Sequence, residues 1–157
     1  MCYHQVEVRP EDREKTAFIT PDGLFQYNVM PFGLETASAT VMRLKTIVFS
    51  GMLYSTCLAY LDDIIIFGAT FDEHLNRLET ALKRLKSANL KLKPSKCGFG
   101  KKSVRLLGHI ISEKGSSTDP KNLKRIQEWP RPRTQNDVRS LLGYATYYPK
   151  FIKGFAH

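Results

Sequence analysis

The stretch Cys57-Leu58-Ala59-Tyr60-Leu61-Asp62-Asp63-Ile64-Ile65-Ile66-Phe67 decides how this chain reads. Two short apolar runs, 57–60 and 64–67, flank Leu61-Asp62-Asp63. Runs of this length and composition predict buried strands. Two such strands around a short acidic segment predict a hairpin with carboxylates at its tip. Adjacent aspartates are common in turns for local reasons, because Asp side chains hydrogen-bond nearby backbone. Beside buried β structure, though, a pair of charges needs a partner. Hard divalent cations such as Mg2+ favour carboxylate oxygens and complete their shell with water and phosphate oxygens. In two-metal phosphoryl transfer, ions roughly 3.5–4 Å apart activate the attacking oxygen and stabilise the leaving one. Two carboxylates rarely hold such a pair alone, so a third is expected from elsewhere in the fold.

On either side of this stretch the pattern alternates between strand and helix. Residues 2–8 alternate in polarity and predict a strand. Pro21-Asp22-Gly23 is a turn tripeptide that predicts a hairpin between 16–20 and 24–29. A mixed pattern over 35–50 predicts a helix. Leu75, Leu78, Leu82 and Leu85 recur at three and four residues and predict a helix over 72–88, with Asp72 as its N-cap. Leu90-Lys91-Leu92-Lys93 alternates and stops at Pro94, which predicts a short edge strand. Residues 104–111 read as a further strand, followed by a turn at Lys114-Gly115. Beyond it, Asp119-Pro120 caps one helix, with Leu123, Ile126 and Trp129 on its apolar side. Thr134 to Asp137 caps a second, with Val138, Leu141, Leu142, Ala145 and Tyr148 at helical spacing. The Pro, Ser and Gly content of 116–133 predicts a boundary near Gly115.

A chain of 157 residues, 42% hydrophobic and 25% charged, is long enough to bury a sizeable core. Its net charge of +9 points to polyanion partners, nucleic acid first among them. Residues 1–60 hold five Lys and Arg against six Asp and Glu; residues 61–157 hold nineteen against nine. The basic part is therefore the candidate for phosphate contact, although solvated Lys-rich helix faces give the same count. Three cysteines, Cys2, Cys57 and Cys97, at wide spacing match neither a disulfide framework nor a zinc site, which predicts a reducing, intracellular setting. No apolar run reaches membrane-spanning length, so no membrane partner is expected. The first residues are polar, unlike a secretory signal, and open directly into an alternating pattern as if a strand had been cut.

Tyr60-Leu61-Asp62-Asp63 before Ile64-Ile65-Ile66-Phe67 resembles the tyrosine-x-aspartate-aspartate motif of reverse transcriptases, and its surroundings are similar to gypsy-class long-terminal-repeat retrotransposons. The resemblance is collinear along nearly the whole chain. Tyr3-His4-Gln5 resembles the end of the first palm motif, and Pro10-Glu11-Asp12 with Lys15-Thr16-Ala17-Phe18 the segment after it. Val29-Met30-Pro31-Phe32-Gly33-Leu34 resembles the second motif, and Leu90-Lys91-Leu92 with Lys96-Cys97 the one after the aspartates. Leu107-Gly108-His109-Ile110 resembles the primer-grip hairpin. Trp129-Pro130, Leu142-Gly143-Tyr144, Tyr147-Tyr148 and Phe151-Ile152 resemble the start of the thumb.

The resemblance implies an α+β fold: a partial right-hand polymerase palm, with an antiparallel sheet and packed helices over 1–115, then the helical start of a thumb over 116–157. It implies Asp62 as a metal ligand, with Asp63 as its less strictly required neighbour, and Mg2+ as the cofactor with Mn2+ as an alternative. Tyr60 would lie beside the primer terminus. Tyr3 would lie under the incoming sugar as a filter against the 2′-hydroxyl, and Phe32 would pack on the nucleotide. Gly33 would permit close backbone approach there. Leu107, Gly108 and His109 would hold the primer backbone. Taken singly, Tyr3 is also a plausible core aromatic, His109 a structural histidine and Tyr147-Tyr148 helix core.

Some positions depart from the family pattern. Its other essential metal aspartate lies upstream of the position matched by Tyr3 and falls before Met1, as does the fingers segment. Thr36, Ser38, Val41 and Met42 are substitutions in the second motif, Glu35 adds a negative charge there, and Pro149 replaces a usual arginine. The expected function is therefore a fragment of an RNA-directed DNA polymerase, inactive alone, that adds dNTPs to a primer on an RNA or DNA template. Its expected partners are primer–template, dNTP and the rest of a Pol polyprotein, and its setting the cytoplasm, a virus-like particle or the nucleus. The alternative is a non-catalytic retroelement relic with at most non-specific nucleic-acid binding. An unrelated α+β binding module is the third reading, and the ordered matches argue against it.

Overall fold

Short hairpins and longer helices alternate along the chain, each beginning and ending where its turn and cap residues dictate. The computed structural model describes residues 3–152 and 154–155, and the chain divides into two compact units, Met1–Cys97 and Gly98–His157.

In the first unit, β1 (Phe18–Thr20) and β2 (Gly23–Phe25) pair antiparallel across the Pro21-Asp22 turn. The hairpin is shorter than its flanking sequence predicts, because Thr16 Oγ1 accepts from the Tyr27 amide at 2.9 Å instead of continuing the ladder. The strand expected over 2–8 is not formed. Tyr3–Gln5 is a 3-10 turn, Glu7 makes a single bridge to Val29, and Cys2 lies outside the described residues. The burial explains this: Tyr3, Val6 and Val8 pack on Met30, Ala37 and Val41, a spacing that a regular strand could not present on one face.

Helix α1 (Ala37–Val48) carries Ala37, Val41 and Lys45 into the interior at intervals of one turn. The larger core cluster follows it: Phe49, Met52, Cys57, Ala81 and Leu85, with Val48, Leu53, Ile64, Ile66 and Leu90 packed around them. Helix α2 (Phe71–Ser87) supplies Ala81 and Leu85, while Leu75 and Leu82 of the predicted stripe remain exposed. Its N-cap is Thr70 rather than Asp72. The Thr70 hydroxyl accepts from the Glu73 amide at 3.2 Å, and the Glu73 carboxylate reaches back to the Ala69 amide at 2.7 Å. Leu90 to Lys93 forms no strand. The Gln5 side chain takes the place of a neighbouring strand, accepting from the Lys91 amide at 2.6 Å and donating to the Lys91 carbonyl at 3.1 Å.

In the second unit, β5 (Ser103–Leu106), β6 (His109–Ser112) and β7 (Gly115–Thr118) form an antiparallel meander. The single strand expected over 104–111 is thus a hairpin, reversed at Leu107-Gly108. The composition change near Gly115 marks the β6–β7 turn, and the compact units divide at Cys97 and Gly98 instead. Helix α3 (Pro120–Gln127) starts at Asp119, whose carboxylate accepts from the Lys121 amide at 3.0 Å and pairs with Arg105 at 3.2 Å. Helix α4 (Gln135–Ala145) opens on a capping box between Thr134 and Asp137 and ends before Pro149. Among the described residues, no helix is long and apolar enough to cross a membrane.

Two stability outcomes follow. Phe49→Ala empties the centre of the larger cluster and should cost about 3–5 kcal/mol in denaturant unfolding. In the second unit, amides of Arg133 and Thr134 hold the Asp137 carboxyl below its ordinary range. The capping box is therefore fully effective above the usual Asp pKa and weakens as pH falls through the depressed value. Acid titration by circular dichroism should show α4 losing helicity at a higher pH in Thr134→Ala than in the parent chain.

Candidate active site

Strands β3 (Cys57–Tyr60) and β4 (Asp63–Ile66) pair from Cys57↔Ile66 to Tyr60↔Asp63, leaving Leu61-Asp62 as a two-residue loop. The strands are apolar because they lie against the larger core cluster. Cys57 is fully buried, which pushes its thiol pKa up, and Ile64 and Ile66 are half-buried. Tyr60 (45% exposed), Asp62 and Asp63 stand in solvent at the tip. The hairpin predicted from the sequence is thus formed, and it brings Tyr60, Asp62 and Asp63 together.

The loop has a constrained backbone. Leu61 sits at φ 42°, a left-handed conformation that costs a non-glycine residue on the order of 1 kcal/mol. Helix α1 holds it there from below. The Leu61 amide donates to Met42 Sδ at 3.1 Å, and Lys45 Nζ donates to the carbonyls of Leu61 and Asp63. Lys45 is only 3% exposed. A buried ammonium is costly unless charge-assisted hydrogen bonds compensate it, and these carbonyls supply them. The sequence reading overlooked Lys45. Its signal was present: a lysine four residues after Val41 falls in line with the buried positions of α1.

The same helix also reaches the segment that resembles the first motif. Ser38 shares a 3.3 Å hydrogen bond with the Tyr3 hydroxyl, and the Tyr3 ring meets Phe32 edge-on with centroids 5.2 Å apart. His4 packs on the same Phe32 ring at 5.0 Å. Phe32 remains 52% exposed, and Gly33 follows at φ +91°, a conformation open to glycine. Tyr3, Phe32 and Gly33 therefore share one corner, in which Tyr3 is half-buried and Phe32 and Gly33 are exposed.

In the second unit, Leu107 and Gly108 occupy φ 47° and 70°, the signature of a tight hairpin reversal. The Tyr147 hydroxyl donates to the Leu107 carbonyl at 2.7 Å, and the Tyr148 hydroxyl to the Gly108 carbonyl at 3.0 Å. A Cβ at Gly108 would lie 2.8 Å from the Tyr148 hydroxyl oxygen, so this tie requires glycine. His109 is turned into the unit, stacked on Tyr147 at 5.7 Å and edge-on to Tyr148 at 5.3 Å. Leu107 alone of the three is well exposed.

The donor chemistry of the β3–β4 tip fits a hard divalent cation in part. Asp62 and Asp63 offer carboxylate oxygens, but no group of three or more His, Cys, Asp or Glu converges among the described residues.

Comparison with known proteins agrees with this arrangement. The family described as reverse transcriptase (RNA-dependent DNA polymerase) matches residues 1–111. The chain is 42% identical over 154 residues to the retrovirus-related Pol polyprotein from transposon 297 of Drosophila melanogaster, covering 98% of this chain and 14% of that protein. It is 41% identical over 154 residues to the Pol polyprotein from transposon gypsy of the same species, again over 98% of this chain and 15% of the relative. The Tf2-3 polyprotein of Schizosaccharomyces pombe is 35% identical over 96% of the chain and 11% of its own length. The chain thus spans about one seventh or less of these relatives. Among solved structures, the foamy viral protease-reverse transcriptase dRH in complex with double-stranded DNA superposes with a TM-score of 0.85 at 23% identity, covering 96% of this chain and 26% of that one. The foamy viral protease-reverse transcriptase in complex with an RNA/DNA hybrid superposes with a TM-score of 0.77 over 92% of this chain and 20% of that one. These structures share the α+β polymerase fold. Palm-type hairpins, an acidic turn seated on a helix and collinear similarity to retrotransposon Pol proteins place the chain in the reverse transcriptase family.

Proposed function

We propose that this chain carries the metal-holding turn and part of the nucleotide-binding surface of an RNA-directed DNA polymerase, whose reaction adds a deoxynucleotide to a primer 3′-hydroxyl. One observation carries the reading: Asp62 and Asp63 are exposed at the tip of a hairpin that is otherwise apolar and partly buried. Asp62 is the direct ligand for Mg2+ or Mn2+, and Asp63 adds negative potential beside it. The bound ion would supply Lewis-acid stabilisation of phosphoryl oxygens and activation of the primer hydroxyl. Two carboxylates are a partial set for that chemistry, so residues 1–157 alone are expected to bind a divalent ion and nucleic acid without extending a primer.

The remaining roles divide between the two units. The exposed Phe32 ring offers a stacking face for the incoming nucleotide, and Tyr3, braced by Phe32 and Ser38, offers a rigid wall against a 2′-hydroxyl. Gly33 leaves space for triphosphate beside that wall, since nothing lies within 4 Å of a Cβ built there. Tyr60, next to the aspartates, lies where a primer terminus would end. The Leu107-Gly108 reversal supports the primer backbone, and His109 fixes that reversal from inside. The Lys and Arg of the second half of the chain supply attraction for phosphates.

Three measurements test this reading. Mn2+ added to the isotopically labelled chain should broaden the Asp62 and Asp63 amide signals first, and Asp62→Ala should abolish that selectivity. Uniform broadening, or broadening centred elsewhere, would sink the metal assignment. Primer extension on a homopolymeric RNA template should give no incorporation above the Asp62→Ala control; incorporation would show that two carboxylates suffice. Fluorescence anisotropy with a labelled primer–template should show affinity falling about 10- to 100-fold between about 50 and about 200 mM salt. Salt-independent binding would remove the phosphate reading of the basic half.

A further inference from the structure

The Leu61 peptide is held at both its polar groups by one face of α1. Its amide hydrogen goes to Met42 Sδ, and its carbonyl oxygen receives the Lys45 ammonium, which also reaches the Asp63 carbonyl. Met42 and Lys45 are three residues apart on the helix, so their side chains emerge as neighbours. Ser38, one turn earlier on the same side, holds Tyr3. Asp62 lies between the two carbonyls that Lys45 grips. A left-handed leucine in an exposed two-residue loop would relax if these contacts were lost, and the Asp62 and Asp63 carboxylates would turn with it.

We propose that Lys45 and Met42 form a clamp that keeps Leu61 left-handed and thereby aims the Asp62 and Asp63 carboxylates. Lys45 is a positioning residue: its ammonium acts through the backbone of the turn. A buried cation bonded to the backbone on either side of Asp62 also has a second, opposing consequence. By charge alone it should weaken divalent-ion binding, since like charges repel. The two consequences have opposite signs on removal of the ammonium, which makes the clamp testable. The functional part of this inference rests on the metal reading of the turn; the conformational part does not.

The test uses the 157-residue chain with two variants. Lys45→Met removes the ammonium and keeps an unbranched chain in the same space. Met42→Leu removes the sulfur acceptor without changing charge. Melting temperature and the amide spectrum of residues 98–155 report whether each variant folds. The readouts are the Leu61 Cα chemical shift, its amide–Hα coupling and the Mn2+ affinity of the turn. In both variants the Leu61 signals should leave left-handed values for those of an averaged, extended loop. Mn2+ binding in Lys45→Met should weaken about tenfold despite the loss of a positive charge, the scale typical for groups that orient metal ligands. Met42→Leu should weaken it in the same direction. Unchanged Leu61 signals in Lys45→Met, or tighter Mn2+ binding, would overturn the clamp and leave Lys45 as a charge only. If the parent chain takes up no Mn2+ at the turn, the metal reading fails, and the Leu61 signals alone decide the clamp.

Discussion

The buried ammonium of Lys45 is the interaction on which the acidic turn depends. A charge removed from water needs compensating partners, and backbone carbonyls are well suited because each oxygen has two lone pairs and can accept a second hydrogen bond. The requirement runs both ways. The lysine needs the reversal for its hydrogen bonds, and the reversal needs the lysine to stay in a left-handed conformation. Helix α1 therefore cannot be treated as filler beneath the hairpin. It links the aromatic corner at Tyr3 and Phe32 with the aspartates, because Ser38, Met42 and Lys45 project from one side.

The second unit repeats this construction with different chemistry. Leu107 is again a left-handed leucine in a two-residue reversal, and here side chains from a following rather than a preceding segment grip its carbonyl and that of Gly108. Tyrosine hydroxyls replace the ammonium there. Asn122 donates to the Tyr148 hydroxyl at 2.6 Å, so the gripping side chain is itself held. In both places a tip is held from beneath by polar side chains on its backbone carbonyls.

Much of this was legible in the sequence, and the exceptions have physical causes. The β3–β4 hairpin, the α1 and α2 segments and both later caps could be read because apolar spacing and cap residues act locally. The strand expected near Tyr3 failed because tertiary burial, not alternation, fixed that segment. The edge strand at Leu90 failed because a side chain, Gln5, satisfied the backbone that a strand would have paired. Thr70 displaced Asp72 as a cap because its hydroxyl accepts the Glu73 amide while the Glu73 carboxylate takes the Ala69 amide. Within the candidate site, residue types announced Asp62 and Asp63. Lys45 was obscured by its charge, since lysine is ordinarily assigned to a solvated face.

The Gln5 contact also bears on the order of assembly. It joins positions 86 residues apart in sequence, with most of the first unit between them. Contacts of such separation close a long loop and form only after the intervening hairpins and helices have reduced its entropy. During synthesis the Tyr3 and His4 contacts with Phe32 and Ser38 can form early, whereas the Gln5–Lys91 pair must wait until Lys91 has left the ribosome. The backbone of Lys91 thus gains its partner from a residue made 86 positions earlier, and that closure is among the last in the unit.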